Sequence, residues 1–370
     1  MAAISKDLIK EGIRLGKASQ ERLGPILYHR FARAWQGVPE GTAVVGESVI
    51  LGYPQIGRLM HLENGVAKHF ANDFWVEEKI DGYNTRVFLE GDEILALTRR
   101  GYLCPFTMDR VPDFLPLSFF LAHPDLVLCA EVAGPGNPYL EGSVPFVPED
   151  ISFFVFDVME KGSGRLFSVE EKEALFHSFM PALPLVPCHG KMGKDDIPAL
   201  KALLRRLDGE GREGVVLKDA QHPQIRAKYV TERSCLSDIA HGAAAFLQLP
   251  PEYFTLRILR LVLFMAEEKM AEDEAMHRAL GASLTSGIFS ALKQIEERGR
   301  VTHMFCCRFR KEENALLFVE TRKKLLGEAS FRLHRLTPER EGGFCLEFEK
   351  EYPKMTEMLK SLLEGRLVFD

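Results

Sequence analysis

The chain is poor in ordered cysteine: seven are scattered through 370 residues, and no two form a C-x-x-C pair. An odd number without that spacing excludes a zinc ribbon or a disulfide framework and points to a reducing cytoplasm. Basic charge is also short. With 47 Lys and Arg against 53 Asp and Glu, the formal net charge is -6, so bulk attraction to nucleic acid or an anionic membrane is excluded and any such contact must be local. No long apolar run exists. The most hydrophobic stretch, from Tyr253, is broken by Arg257 and Arg260, is too short for a bilayer, and reads as a buried amphipathic helix. The amino terminus mixes acidic residues into an amphipathic pattern and lacks the apolar core and cleavage site of an export signal. Internal repeats and low-complexity tracts are missing too.

What is present is ordinary globular composition, 46% hydrophobic and 27% charged, on a length that suits two or three domains. From Ser5 to Trp35 apolar residues recur near helical spacing and predict two short helices. Residues 42–63 alternate as a strand meander would. Between Phe74 and Tyr229 the patterns are mostly strands, interrupted by a helix opened by Ser168 with Glu171 three places on, and by a second helix over residues 195–207. Hairpin-linked strands with few crossover helices predict an antiparallel α+β fold rather than a doubly wound parallel sheet. After Ser234 three helices are expected, then strands over 303–310, 315–323 and 343–349, and a last helix from Pro353. The expected division is an amino-terminal helical and strand segment (1–65), a catalytic domain (66–233) and a helix-rich carboxy-terminal α+β domain (234–370).

Within this frame, "WVEEKIDGYNTRVFLEG" places Lys79 two positions before Asp81-Gly82. Taken alone, the Asp-Gly pair is a hairpin turn and Lys79 a solvated strand residue. Other segments carry equally conspicuous charges. Arg99 and Arg100 stand at a strand end beside Gly101, Glu131 lies inside an apolar strand, and Glu213 and Lys218 bracket another. Arg226 and Lys228 are two apart, hence on one strand face. Charges inside apolar strands need partners.

In their order, "EKIDGYNTR", "TRRG", "AEVAGPGNPY", "FFVFDV", "EGVVLK" and "AKYVT" resemble the covalent nucleotidyltransferases, and most closely the archaeal-type ATP-dependent RNA ligases. The motifs run from about Tyr53, whose segment "GYPQIGR" is also similar to those ligases, to Thr231. The resemblance implies a nucleotidyltransferase fold built on antiparallel sheets. It also implies ATP and Mg²⁺ as cofactors, RNA with 5′-phosphate and 3′-hydroxyl ends as substrate, and a homodimer without a membrane. By the same resemblance Lys79 is the nucleophile that takes AMP, Lys228 binds the α-phosphate, Glu131 holds the ribose, and Asn84 and Arg86 belong to the nucleotide site. Phe156 stacks on adenine, with Phe154 the alternative, and Val215 or Leu217 closes the other side of the base. Glu213 and Asp81 hold the metal through waters, and Arg99 grips a phosphate.

The chemistry asks for these residue types. A free lysine titrates near ~10.4, whereas attack on phosphorus needs the neutral amine. Lys218, Arg226 and Lys228 are expected to converge, depress the Lys79 pKa and neutralise charge on the transferring phosphoryl group. One departure is visible: related ligases commonly carry Lys-x-Lys where this chain has Arg226-Ala227-Lys228, and a planar, permanently charged guanidinium changes what position 226 does. "CHGKMGKDD" lacks the Ser or Thr and the spacing of a phosphate loop. The basic runs at residues 307–311 and 321–324 are read as solvated faces, and Cys306-Cys307 as two buried small hydrophobes on opposite strand faces. His61, His177 and His189 lack metal-ligand spacing. The rival readings are a DNA-joining ligase, a GTP-using capping-type enzyme, and a non-catalytic RNA-binding scaffold.

Overall fold

The computed structural model describes residues 4–142, 144–179, 183–270, 273–340 and 342–368. Helix α1 (Lys6–Arg14) leads into a meander of β1 (Ser19–Leu23), β2 (Ile26–Arg30), β3 (Ala43–Val45) and β4 (Ser48–Ile50). After β5 (Gly57–Arg58) and α2 (Leu62–His69) come β6 (Phe74–Lys79), β7 (Tyr83–Glu90) and β8 (Glu93–Thr98). Helices α3 (Pro105–Phe114) and α4 (Leu117–Ala122) precede β9 (Leu126–Ala133) and β10 (Ser152–Glu160). Then follow α5 (Val169–Phe176), β11 (Cys188–Met192), α6 (Ile197–Gly209), β12 (Gly214–Asp219) and β13 (Arg226–Val230). The remainder holds α7 (Glu232–Ala243), α8 (Glu252–Glu267), α9 (Glu274–Arg298), β14 (Thr302–Phe309), α10 (Glu312–Leu326), β15 (Phe331–Pro338), β16 (Phe344–Glu351) and α11 (Pro353–Leu363).

Two sheets build the centre, ordered β10-β9-β7-β8 and β11-β6-β12-β13-β5. Their pairings are antiparallel except β13 with β5, so the α+β expectation holds. Strand alternation decides what each face carries. In the second sheet Phe74, Val76, Val215, Leu217, Ala227 and Tyr229 all point to one side, where Leu62 and Val66 of α2 and Leu200 and Leu204 of α6 cover them. The opposite side is left to Glu77, Lys79, Val216, Lys218, Arg226 and Lys228. In the first sheet Leu128, Ala130 and Val132 share a core with Phe305, Phe309, Phe318 and Phe348 of the carboxy-terminal part. That part, with the sheet β14-β16-β15 and α10, therefore seals the back of the first sheet.

Several local expectations are corrected. The second amino-terminal helix is a hairpin: Leu23 pairs with Ile26 across Gly24, whose φ of +53° suits glycine, and Pro25 cannot donate to a helix. The strand expected over 315–323 is α10, in which Ala315, Phe318 and Val319 are buried at helical spacing; its Leu-Phe-Val run hid a 3.6-residue period. Helices α3 and α4 and strands β11 and β15 were not foreseen. Of the adjacent cysteines only Cys307 is buried; Cys306 is exposed, with its Sγ 3.1 Å from that of Cys345. The Ser168–Glu171 capping box is present as expected.

Candidate active site

Between the two central sheets lies a cavity of about 780 Å³, within the range of small-molecule sites. Lys79 ends β6 at its rim, and the next strand, β7, belongs to the other sheet. Asp81-Gly82 is therefore no hairpin turn; it carries the chain across the cleft. A Cβ on Gly82 would meet the Val132 carbonyl oxygen at 2.5 Å and Glu131 Cγ at 2.8 Å. Glycine is needed there because the crossing backbone runs against β9. Opposite Lys79 in the register is Gly214, with φ +143°, where a Cβ would lie 2.2 Å from the Tyr229 carbonyl oxygen. Its predecessor Glu213 is thereby turned toward the lysine, and the Lys79 ammonium donates to the Glu213 carboxylate.

Electrostatics around this pair is opposite to the sequence expectation. Burial pulls the Lys79 amine down, but Glu213, Glu131 and Asp81 outweigh burial and hold its pKa above the ordinary 10.5. Burial pushes the Glu213 carboxyl up to about 7 and that of Glu131 up to about 8, against the opposing pull of Lys79. Asp81 is raised as well, first by burial. Lys79 is thus an ammonium held by carboxylates, and depression of its pKa by Lys218 and Arg226 is not seen.

The reason is that those two cations are already used. Lys218 lies 2.5 Å from Glu77 and 2.9 Å from Asp157, and Arg226 pairs with Asp157, which also accepts from the Tyr53 hydroxyl at 2.5 Å. Lys172 of α5 closes the chain on the other oxygen of Glu77. Arg226 further donates to the Pro223 carbonyl oxygen and does not line the cavity; Lys218 does so with its charge neutralised. Lys228 differs: burial, Lys79 and Arg58 lower its pKa to about 8, and it faces the cavity. An arriving anion would raise that value, so Lys228 is a ready seat for phosphate.

The remaining expected residues divide. Glu131 lies opposite Asn84 in β7, and both line the cavity; the Asn84 Oδ1 is buried without a partner. Arg86 shares their face one pleat deeper and is fully buried, donating to the carbonyl oxygens of Leu51, Gly41 and Thr98. It ties the amino-terminal meander to β7 and β8 and does not reach the cavity. Val215 and Leu217 also drop out, since both lie in the outer core; Val216, on the same face as Lys218, lines the cavity instead. Phe156 lines the cavity and sits at a β-bulge between Val155 and Asp157, whereas Phe154 packs edge-on against Phe146. The extra residue resets the strand so that Asp157 pairs with Cys129 and turns toward the site. Arg99 is exposed at the mouth. Glu77, Asp157, Lys172 and Tyr53 were missed; Glu77 and Asp157 carried the signal of charge within apolar strands, whereas Lys172 in α5 and the uncharged Tyr53 carried none.

Asp81, Glu131 and Glu213, crowded and each pushed toward protonation, fit a divalent cation that would relieve their repulsion. They form no ready-made cage: among the described residues, the group of ligand atoms within 4.8 Å of one another is Cys306, Cys345 and Glu347, on the carboxy-terminal sheet. An ion at the site would therefore keep waters, as Mg²⁺ prefers.

The raised Glu131 pKa has a stability consequence. The folded protein holds this proton more tightly than the unfolded chain, so its contribution to stability is full below the ordinary 4.5 and is lost as pH rises from there through about 8. Glu131→Gln is expected to raise the melting temperature at pH 9, by about 1–3 kcal/mol of stability, with no difference at pH 4. Thermal melts across pH check this, and equal melts at pH 9 refute it.

Two facing antiparallel sheets with a lysine at one strand end, carboxylates from both sheets and a cationic strand beside it define the covalent nucleotidyltransferase class. Comparison with known proteins narrows this. Residues 72–230 match the RNA ligase family and residues 241–366 the ligase Pab1020 C-terminal region. An archaeal ATP-dependent RNA ligase structure is 28% identical with a TM-score of 0.88, covering 99% of this chain and 100% of that one. An Aquifex aeolicus structure, provisionally named an ATP-dependent DNA ligase, is 44% identical with a TM-score of 0.92, covering 99% of this chain and 100% of its own. An uncharacterized protein of Methanocaldococcus jannaschii is 28% identical over 91% of this chain and 87% of its own. The chain belongs to the RNA ligase family, with ATP-dependent RNA ligases among its full-length structural relatives.

Proposed function

We propose that the chain is an ATP-dependent RNA ligase that joins 5′-phosphate to 3′-hydroxyl ends. The observation that carries this is the Lys79 amine paired with Glu213 inside a cavity that Lys228, Glu131 and Phe156 also line. In the first step the neutral Lys79 Nζ attacks the α-phosphorus of ATP. A P–N bond forms, the bond to pyrophosphate breaks, and Glu213 is the nearest acceptor for the amine proton. Lys228 faces the charge that develops on the phosphoryl oxygens, Glu131 and Asn84 hold the ribose, and Phe156 and Val216 flank the base. AMP then passes to the RNA 5′-phosphate, and the 3′-hydroxyl displaces it. A bound Mg²⁺, held by Asp81 and Glu213 through waters, would neutralise phosphate charge. Splitting one condensation into covalent stages lowers each barrier.

The domain division at residues 65 and 233 is part of this reading. So is a homodimer, supported by the exposed apolar row Leu256, Leu259 and Val262 along α8. Among the described residues no helix is long and apolar enough to cross a membrane.

Incubation with α-labelled ATP or GTP, followed by a denaturing gel, tests the chemistry: label from ATP and not GTP is expected, and a bare protein band would favour the scaffold reading. Sealing of matched RNA and DNA substrates, single-stranded and nicked, tests the acceptor. RNA joining is expected to exceed DNA joining by at least about tenfold, a difference of ~1.4 kcal/mol between acceptors. The reverse order would move the protein to the DNA-joining reading.

A further inference from the structure

The cavity does not end at the nucleotide site. Its wall also includes Tyr139 and, from α10 in the carboxy-terminal part, Thr321, Arg322 and Leu325. Arg322 is one of the residues read from sequence as a solvated basic run. In the helix it falls seven residues after Ala315 and four after Phe318, so it extends the buried face, while Lys323 and Lys324 are exposed. Its guanidinium lies 5.0 Å from the Tyr139 ring centroid, its Nε is buried without a hydrogen-bond partner, and its pKa is lowered by burial. The groups that bear on it are Tyr139, Cys104 and Cys307, none of them a carboxylate. A half-buried cation with no carboxylate beside it gains from an arriving anion.

We infer that Arg322 is a substrate-positioning residue that binds a phosphate of the 5′-phosphorylated RNA strand, with Tyr139 beside it as a surface for the terminal nucleotide. The inference rests on the ligase reading above. It assigns Arg322 to the polynucleotide rather than to ATP because of where its charge is felt. Arg99 acts on Glu131 and Lys228, at the lysine end, whereas Arg322 acts on Cys104 and Tyr139, at the far end. Phe156 and Val216 form the wall already assigned to the base, which leaves the Arg322 side of the cavity for a second reactant. Guanidinium matches phosphate geometry, and a neighbouring aromatic ring accepts a base or sugar of any sequence.

The test separates the steps. Label formation from α-labelled ATP is measured first for the wild type and for Arg322→Gln. Protein carrying AMP is then freed of ATP and given 5′-phosphorylated RNA, and AMP transfer is followed. Arg322→Gln is expected to retain label formation within about twofold and to raise the KM for RNA in AMP transfer about ten- to a hundredfold, with partial rescue by Arg322→Lys. Should Arg322→Gln not fold, Thr321→Glu, which adds an anion at the same wall of the cavity, is expected to weaken RNA transfer with label formation retained. A raised KM for ATP with unchanged AMP transfer would reassign Arg322 to the nucleotide, and no change in either step would make it structural; both overturn the inference. Absence of label in the wild type instead sinks the ligase reading itself.

Discussion

Lys79→Ala is expected to abolish retention of AMP from labelled ATP, by at least about three orders of magnitude, because no other amine replaces a covalent nucleophile. Lys228 also faces the cavity, but it stands on β13 opposite Val216, not at the crossing between the sheets where Lys79 meets Glu213. Folding should survive the change. The loss uncovers Glu213, whose carboxyl already titrates at about 7 and would take up a proton rather than remain a lone buried charge. Lys79→Arg sharpens the experiment: it keeps the ion pair yet never presents a neutral nitrogen, so it is also expected to show no label. Sealing of RNA that already carries AMP on its 5′-phosphate should persist in Lys79→Ala, since that step does not use the amine. Label in Lys79→Ala would end the assignment. The wild-type rate should rise with pH through the neutral range, because the carboxylates hold the amine above its ordinary 10.5.

Removing Asp157 is expected to have the largest effect on stability. Lys172, Glu77, Lys218, Asp157 and Arg226 form one chain of ion pairs, and Lys172, Glu77, Lys218 and Asp157 are each at most 4% exposed. Asp157 is shared by Lys218, Arg226 and the Tyr53 hydroxyl. Asp157→Ala therefore strands Arg226, a buried cation that cannot lose its proton, and leaves Lys218 to share Glu77 with Lys172. Breaking such a pair costs about 3–5 kcal/mol, which urea titration would read as a lower midpoint. Burial alone would raise the Asp157 carboxyl, yet Arg226, Lys218 and Lys172 hold it well below 3.8. Its contribution is thus present above that value and lost only in strong acid, so the difference between the two proteins should be constant from pH 5 to 8. An unchanged midpoint would show that the network is not structural.

Expectation and structure part at particular residues. The strands that carry Lys79, Glu131 and Lys228 were legible because strand alternation is local and because phosphate chemistry demands those residue types. The residue closing the base site was misplaced: Val215 or Leu217 was expected, but Val216 shares its face with Lys218, whereas Val215 and Leu217 point the other way. Nothing in "FFVFDV" announces a bulge at Phe156, which depends on what β9 offers opposite. Arg86 follows Asn84 by two and was reasonably placed beside it, but the amino-terminal meander covers that depth of the strand. Arg322 was lost with the mistaken strand over 315–323.

By itself the sequence determined the alternation of the strands, the order of the charged motifs and the local caps, since each depends on neighbours a few positions away. Only the tertiary structure decided which charges are spent on each other: Lys218 and Arg226 against Glu77 and Asp157, Lys79 against Glu213, with Lys228 and Arg322 turned to the cavity. Coulomb energy and desolvation depend on distances of a few ångström between groups tens to hundreds of residues apart, and those distances exist only once the sheets have packed.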